Sequence, residues 1–178
     1  TYNQIVGIKP NHVKIANMAV EDLKPIKAIL LEKVSTQNIR YATDFTLGFV
    51  QNIPYSKLES RVTSSGAGFN PPLKLLWENQ GDCDSKVTLT AALLRVLMPR
   101  IDIALIFIEQ HALIGINVPP LAGEQSITVD QVTYLLAEPT GPSLLPLGKI
   151  SPTSEIAIAN GHYTLEKLTL PKATAQTK

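Results

Sequence analysis

The single cysteine of the chain, Cys83, is the residue type best suited to covalent chemistry. It follows Asp82, a typical helix N-cap, and opens an apolar segment that ends before Pro99. The unpaired N–H groups and partial positive charge of a helix N-terminus stabilise a thiolate and can receive an oxyanion. The position therefore favours a nucleophile, although a buried and inert cysteine is an equally open interpretation of the position alone.

Two further side chains could complete a catalytic set with Cys83. His111 opens a predicted strand, and Glu138 ends a later one beside Pro139. A cysteine nucleophile needs a histidine as its base, and the histidine needs a carboxylate or amide that orients it. Each interval is long enough for one crossing element and a loop, so the three side chains can meet at one end of a sheet. The alternative is a histidine at a strand edge, satisfied by water or a carbonyl.

The remaining candidates for chemistry are weaker. His12 and His162 lie near no carboxylate at metal-ligand spacing, so both are predicted to be surface or edge residues. One cysteine and three histidines without close paired spacings do not suggest a zinc site. The Gly66-Ala67-Gly68 segment follows no convincing strand and precedes no Lys-Ser/Thr pair, which favours a flexible loop over a phosphate cradle.

The elements that must position these residues come as helices first and strands afterwards, which predicts an α+β domain with an antiparallel sheet. Residues 1–20 are predicted to form a short strand or an irregular lead-in. Apolar spacing predicts helices over residues 21–34 (with Pro25 in the first turn), 40–50 and 83–97, and a helical turn over 73–77 within a long loop. Strands are predicted over residues 101–108, 111–118 and 127–138, with edge strands over 155–158 and 162–170.

Length and composition limit the classes of protein. The 178 residues, 44% of them hydrophobic and 17% charged, predict one folded domain over residues 1–170 and a flexible tail over 171–178. A net charge of +1 argues against nucleic acid as the main partner. No apolar run is long enough to span a membrane. The low charge also fits a domain that docks on a larger protein or assembly.

Three segments together resemble the transglutaminase-like superfamily, in the order that this superfamily requires. Its nucleophile helix is similar to Gly81-Asp82-Cys83-Asp84-Ser85-Lys86. Its histidine strand is similar to His111-Ala112-Leu113. Its acidic motif is similar to Tyr134-Leu135-Leu136-Ala137-Glu138-Pro139-Thr140. Residues 49–55, followed by Trp77, resemble the lead-in of bacterial members. The resemblance covers roughly residues 45–150.

This resemblance implies a papain-like core, in which a nucleophile helix packs on an antiparallel sheet. It implies that Cys83 is the nucleophile, His111 the base and later the acid, and Glu138 the group that orients His111. For the oxyanion hole it implies the backbone N–H of Cys83, with Gln80 and Trp77 as candidate side-chain donors. Trp77 fits equally well as a wall of the pocket.

Asp82 and Asp84 flank the proposed nucleophile. They can serve as an N-cap and as acidic partners of the helix dipole. Because some bacterial relatives, periplasmic proteases that cleave adhesins, bind calcium through acidic residues beside the cysteine, the resemblance offers calcium as the alternative role. Two carboxylates do not make a full calcium site, so no cofactor is required. Their charges also raise the thiol pKa, against the effect of the helix N-terminus.

The predicted function is thiol-dependent acyl transfer, most simply by a cysteine peptidase or amidase that acts on proteins or peptides through a Cys83-His111-Glu138 triad. Attack by water gives hydrolysis, whereas attack by an amine gives the cross-linking reaction of a transglutaminase. The alternative is a non-catalytic binding module that keeps the fold. The sequence does not fix the compartment, and the resemblance favours an extracytoplasmic one.

Overall fold

The computed structural model describes residues 9–34, 38–59 and 68–168. Within them the chain is a mixed helical and antiparallel β structure, which confirms the predicted α+β class. The five strands lie in the order β3-β4-β2-β1-β5, and every neighbouring pair is antiparallel. The elements are α1 (His12–Lys33), α2 (Ile39–Gln51), α3 (Pro72–Glu78), α4 (Cys83–Leu97), β1 (Ile103–Ile108), β2 (His111–Ile116), β3 (Ser126–Val129), β4 (Val132–Ala137), α5 (Pro152–Ala159) and β5 (Thr164–Lys167).

Helix α4 lies at the centre of the domain, and its residues 85–96 are all buried. Helices α1, α2 and α3 pack around it, and it packs in turn against β1 and β2. This explains why its apolar residues are not confined to one face, as the sequence indicated. Burial of each of its leucines contributes about 1.5–3 kcal/mol, so the start of α4 at Cys83 is held firmly against the sheet.

Strand β2 places alternate side chains in two separate apolar clusters. Ala112 and Ile114 belong to the cluster that surrounds α4. Leu113 points to the opposite cluster, which contains Tyr134. Gly115 faces Tyr134 so closely that an added Cβ would lie 2.9 Å from the Tyr134 Cβ. Both faces of β2 are therefore covered, and its first residue lies at the sheet end near the start of α4.

The N-terminal part of the description corrects one prediction. A helix, rather than a strand or an irregular lead-in, begins at His12, and the Asn11 side chain caps it by accepting the N–H of Lys14 at 2.9 Å. Ala16 and Leu23 are buried on its inner face. Because the side chain of Ala16 is small, the apolar spacing of this segment only weakly indicated a helix. Pro25 consequently lies inside the helix and not in its first turn.

Two predictions in the second half are also wrong in detail. Residues 127–138 form a hairpin and not one strand, because Asp130 and Gln131 both adopt positive φ angles, 50° and 65°, as a two-residue hairpin turn requires. Residues 155–158, predicted as an edge strand, lie in α5, which Ser151 caps. The other helices and the edge strand β5 lie where the sequence predicted them.

No helix in the described part of the chain is both long and apolar enough to cross a bilayer. The flexible tail predicted for residues 171–178 lies outside the described residues, as does most of the predicted loop at Gly66-Ala67-Gly68.

Candidate active site

Cys83 and His111 line one cleft of about 610 Å³, between the start of α4 and the start of β2. Tyr55, Phe107 and Gln110 contribute to its walls. The structure thus brings together two residues that the sequence analysis selected from distant parts of the chain. Their elements meet because α4 packs directly against β2.

The Cys83 thiol is held among acceptors. Its sulfur lies 3.7 Å from Oδ1 of Asp84 and 3.9 Å from the backbone oxygen of Gln110. Burial raises the pKa of the thiol to about 12, and the charges of Asp84 and Asp82 add to the rise. Burial and these charges thus outweigh the lowering expected from the helix N-terminus. The resting thiol is protonated at neutral pH, and a base must remove its proton during any attack.

Glu138 lies beside the ring of His111. Its Oε1 lies 3.6 Å from His111 Nε2, and the Glu138 side chain is 9% exposed. Burial alone would raise the pKa of Glu138, but the contact with His111 and the hydrogen bonds from Ser154 and Ser151 hold it at about 2. A carboxylate facing Nε2 favours the tautomer with the proton on that nitrogen. The Nδ1 lone pair of His111 is then the one that can accept a proton.

The start of helix α5 holds the Glu138 carboxylate in place. Oε1 accepts the backbone N–H of Ser151 at 3.0 Å, its hydroxyl at 2.9 Å, and the hydroxyl of Ser154. The partial positive charge of a helix N-terminus also stabilises a carboxylate there. The sequence analysis missed both serines, although Ser151 followed by Pro152 is a typical helix start that could have revealed them.

Gln51 fixes the backbone on the other side of Glu138. Its buried side-chain amide donates to the carbonyl of Glu138 at 2.9 Å and to that of Leu145 at 2.8 Å. Gly141 passes so close to the end of α2 that a Cβ on it would overlap the backbone oxygen of Gln51. The end of β4 is therefore tied to α2, and with it the position of the Glu138 carboxylate.

Lys86 links two loops from the first turn of α4. The side chain is fully buried, and its amine donates to the carbonyl of Ile53 and, at 2.6 Å, to that of Thr140. Ile53 leads to Tyr55 in the cleft wall, and Thr140 follows Glu138 closely. Burial lowers the pKa of the amine to about 8. Lys86 thus fixes both loops relative to the helix that carries Cys83.

Replacing Lys86 with methionine is expected to lower the free energy of unfolding at neutral pH by about 2 kcal/mol, because two interior carbonyls lose their donor. The wild type should become more stable as the pH rises from about 8 to 10.5, because in this range the unfolded chain still holds a proton on Lys86 that the folded chain has lost. Lys86→Met should remove this increase. Urea denaturation at about pH 7 and pH 9.5 measures both effects.

Lys149→Met is the matched control, because the Lys149 amine also donates to a carbonyl, that of Gly123, but at the surface. Its stability should change by less than about 0.5 kcal/mol. A Lys86→Met protein with wild-type stability at neutral pH would contradict the role assigned to Lys86.

The two candidate oxyanion donors lie elsewhere. Trp77, on α3, is 91% exposed, and neither it nor Gln80 is among the described residues that line the cleft. Tyr55 takes a place in the wall instead, because residues 54–56 pair with Gly81, two residues before Cys83. Of the expected donors, only the backbone N–H of Cys83 lies beside the sulfur.

Asp82 and Asp84 have partners within the chain. Oδ1 of Asp82 accepts the backbone N–H of Ser85 at 2.9 Å, which is the predicted N-cap. Asp84 contacts the Cys83 thiol. Among the described residues, no group of three or more His, Cys, Asp or Glu side chains could hold a metal ion. Asp82 thus caps the helix, and Asp84 places a carboxylate beside the sulfur.

His12 contradicts the prediction that it lies at the surface or at an edge. It is fully buried beside the site, and its Nε2 lies 3.9 Å from Oδ2 of Asp84. His12 lies at the start of α1, and the packing of α1 against α4 places it beside the first turn of α4. His162 is exposed, as predicted.

No family model, curated protein or solved structure matches this chain.

Proposed function

We propose that this chain is a thiol-dependent acyl-transfer enzyme, a cysteine peptidase or amidase that acts on protein or peptide substrates. One observation carries the proposal. The single cysteine shares a cleft with a histidine whose Nε2 lies 3.6 Å from a buried, ionised carboxylate. This is the set of groups that nucleophilic catalysis by cysteine needs: a nucleophile, a base and a group that fixes the tautomer of the base.

In the proposed reaction the Cys83 sulfur adds to the substrate carbonyl while His111 Nδ1 takes the thiol proton. The backbone N–H of Cys83, at the start of α4, donates to the oxyanion. Collapse of the intermediate breaks the carbonyl–nitrogen bond, and His111 passes its proton to the departing amine. A water molecule then attacks the thioester, gives its proton to His111, and the thiol is reformed. Glu138 stays ionised and stabilises the imidazolium throughout.

A papain-like core is part of the same proposal, and the arrangement of the helices and strands supports it. The nucleophile begins a central helix that packs on an antiparallel sheet, the histidine begins a strand of this sheet, and the acid follows a neighbouring strand. The transglutaminase-like resemblance predicts the same placement of Cys83, His111 and Glu138.

The cleft suits a polypeptide better than a small charged molecule. Lys57 and Glu59 of opposite charge line it, together with the apolar surfaces of Phe107 and Ile108. Such a mixed wall favours an extended chain with varied side chains. Water as the acceptor gives hydrolysis, and a lysine side chain as the acceptor gives cross-linking.

A non-catalytic binding module is the second candidate, and one observation favours it. The polar contacts of the Cys83 sulfur within the described residues are to Asp84 and Gln110, not to His111. The thiol pKa of about 12 points in the same direction. The two candidates differ in whether the reactivity of the thiol depends on His111.

A pH titration of Cys83 alkylation by iodoacetamide, with and without His111→Ala, separates them. If a thiolate–imidazolium pair forms, the wild type reacts near neutral pH, and His111→Ala slows the reaction there by about tenfold or more, equivalent to one or more pKa units. His162→Ala is the matched control and should leave the rate unchanged. Identical titration curves for the wild type and His111→Ala would favour the binding module.

A further inference from the structure

A second histidine is buried beside the proposed active site and has no task in the reaction described above. His12 begins α1 and is fully buried. The rings of Phe69 and Phe107 each lie 5.1 Å from its ring, measured between centroids. Burial of a polar ring between two aromatic rings is costly unless its nitrogens have partners. The partners of the two nitrogens therefore decide what this residue does.

Thr88 is the hydrogen-bond partner of one ring nitrogen of His12. The Thr88 hydroxyl lies 3.1 Å from His12 Nδ1 and 2.7 Å from the backbone oxygen of Asp84. The polar requirement of Nδ1 is therefore met within the chain.

The other ring nitrogen, Nε2, faces a carboxylate. Nε2 of His12 lies 3.9 Å from Oδ2 of Asp84, is shielded from solvent and has no hydrogen-bond partner within the described residues. The other carboxylate oxygen, Oδ1, is the one that lies 3.7 Å from the Cys83 sulfur. Asp84 therefore lies between the buried histidine and the thiol, and protonation of the His12 ring would convert its contact with Asp84 into an ion pair.

We propose that His12 is a positioning residue for the thiol chemistry of Cys83, and that it acts through Asp84. A proton on Nε2 pairs the imidazolium with the Asp84 carboxylate and offsets the negative charge that opposes a thiolate. The inference rests on the proposed function. The two histidines then have separate tasks: His111 moves the thiol proton, and His12, when protonated, offsets the negative charge beside the sulfur.

The surroundings of His12 set the pH range of this effect. Burial lowers the pKa of His12 from its ordinary value of 6.5, the charges of Asp84, Glu166 and Asp82 oppose the lowering, and Lys9 adds to it. His12 is therefore neutral at neutral pH and gains its proton on the acid side of 6.5. The influence of His12 on the thiol belongs to that acid range.

The test is the rate of Cys83 alkylation by iodoacetamide from about pH 5 to about pH 8.5, in the wild type, His12→Gln, Asp84→Asn and the double variant. His12→Gln should slow the reaction severalfold below pH 6.5 and leave it unchanged above about pH 8, where His12 is neutral in any case. Asp84→Asn should speed the reaction at every pH. In the Asp84→Asn background His12→Gln should have no effect. His162→Gln, at an exposed histidine, should match the wild type throughout.

Equal slowing by His12→Gln at all pH values, or slowing that persists in the Asp84→Asn background, would overturn the inference, because either result indicates a role in packing alone. NMR titration of the His12 ring in the wild type and in Asp84→Asn needs no change at His12. The asparagine should lower the His12 pKa, and an unchanged value also overturns the inference. Loss of dependence on His111 would contradict the proposed function instead.

Discussion

Cys83→Ser is expected to lower acyl transfer by about a thousandfold or more, the scale on which removal of a nucleophile acts in enzymes of this kind. A serine hydroxyl is a much weaker acid than a thiol. At this position burial and the charges of Asp84 and Asp82 already oppose ionisation. His111 would have to remove a far less acidic proton with no compensating charge. Release of nitrophenol from an activated acyl ester, together with the mass of the acyl-enzyme, measures the loss.

The composition makes this experiment unusually clean. The chain has one cysteine, so any covalent thioester or thiol label must be on Cys83 and must vanish in Cys83→Ser. Thermal unfolding serves as the control for folding, because serine differs from cysteine at one atom and is compatible with the first turn of a helix. Full turnover by a folded Cys83→Ser protein would contradict the proposed function. Addition of a primary amine to the wild type would distinguish hydrolysis from cross-linking.

Helix α4 could be predicted from the sequence because its signals are local. Asp82 caps it and Pro99 follows its end, and the apolar residues between them leave no polar face. Helix α5 shows the opposite case. Its residues Ile156 and Ile158 suggested a strand, but the cap formed by Ser151 and the turn of helix that follows determine the local structure. A β-branched residue is a weaker guide than a cap of this kind.

The site divides in the same way. Cys83, His111 and Glu138 could be selected because each has a reactive side chain at the end of an element. His12 could not be selected, because the hydrogen-bond partner of its ring, Thr88, is 76 positions away in the chain. Trp77 was considered as a donor because it is close to Cys83 in sequence, yet α3 leaves its side chain 91% exposed.

The thiol pKa is the clearest quantity that sequence reasoning could not settle. The helix N-terminus and the adjacent aspartates act in opposite directions, and both were visible in the sequence. The largest contribution is burial of the thiol. No local sequence pattern predicts this burial, because it depends on how the cleft walls pack around Cys83. A thiol with a raised pKa needs a base in order to react near neutral pH, and the proposed function assigns this task to His111.

Glu138→Gln should have the second largest effect, a loss of activity of about 100-fold to 10,000-fold. The amide carries no charge to stabilise the imidazolium of His111. It also presents an N–H donor as readily as an acceptor, so His111 loses the preference for a proton on Nε2 that leaves Nδ1 free for the thiol. The same acyl ester assay measures this loss. Glu155→Gln, on the exposed side of α5, is the matched control and should keep full activity.

The stability of the two proteins in acid provides a second and independent test of Glu138. Its folded pKa of about 2 lies below the ordinary value of 4.5, so its contribution to the free energy of unfolding is complete above 4.5 and is lost as the pH falls toward 2. The difference corresponds to about 3 kcal/mol. Glu138→Gln should remove this part of the acid dependence, whereas Glu155→Gln should keep it. A variant that lost activity but kept the full acid dependence would show that the Ser151 and Ser154 hydroxyls do not hold an ionised carboxylate, and the orientation of His111 would need another source.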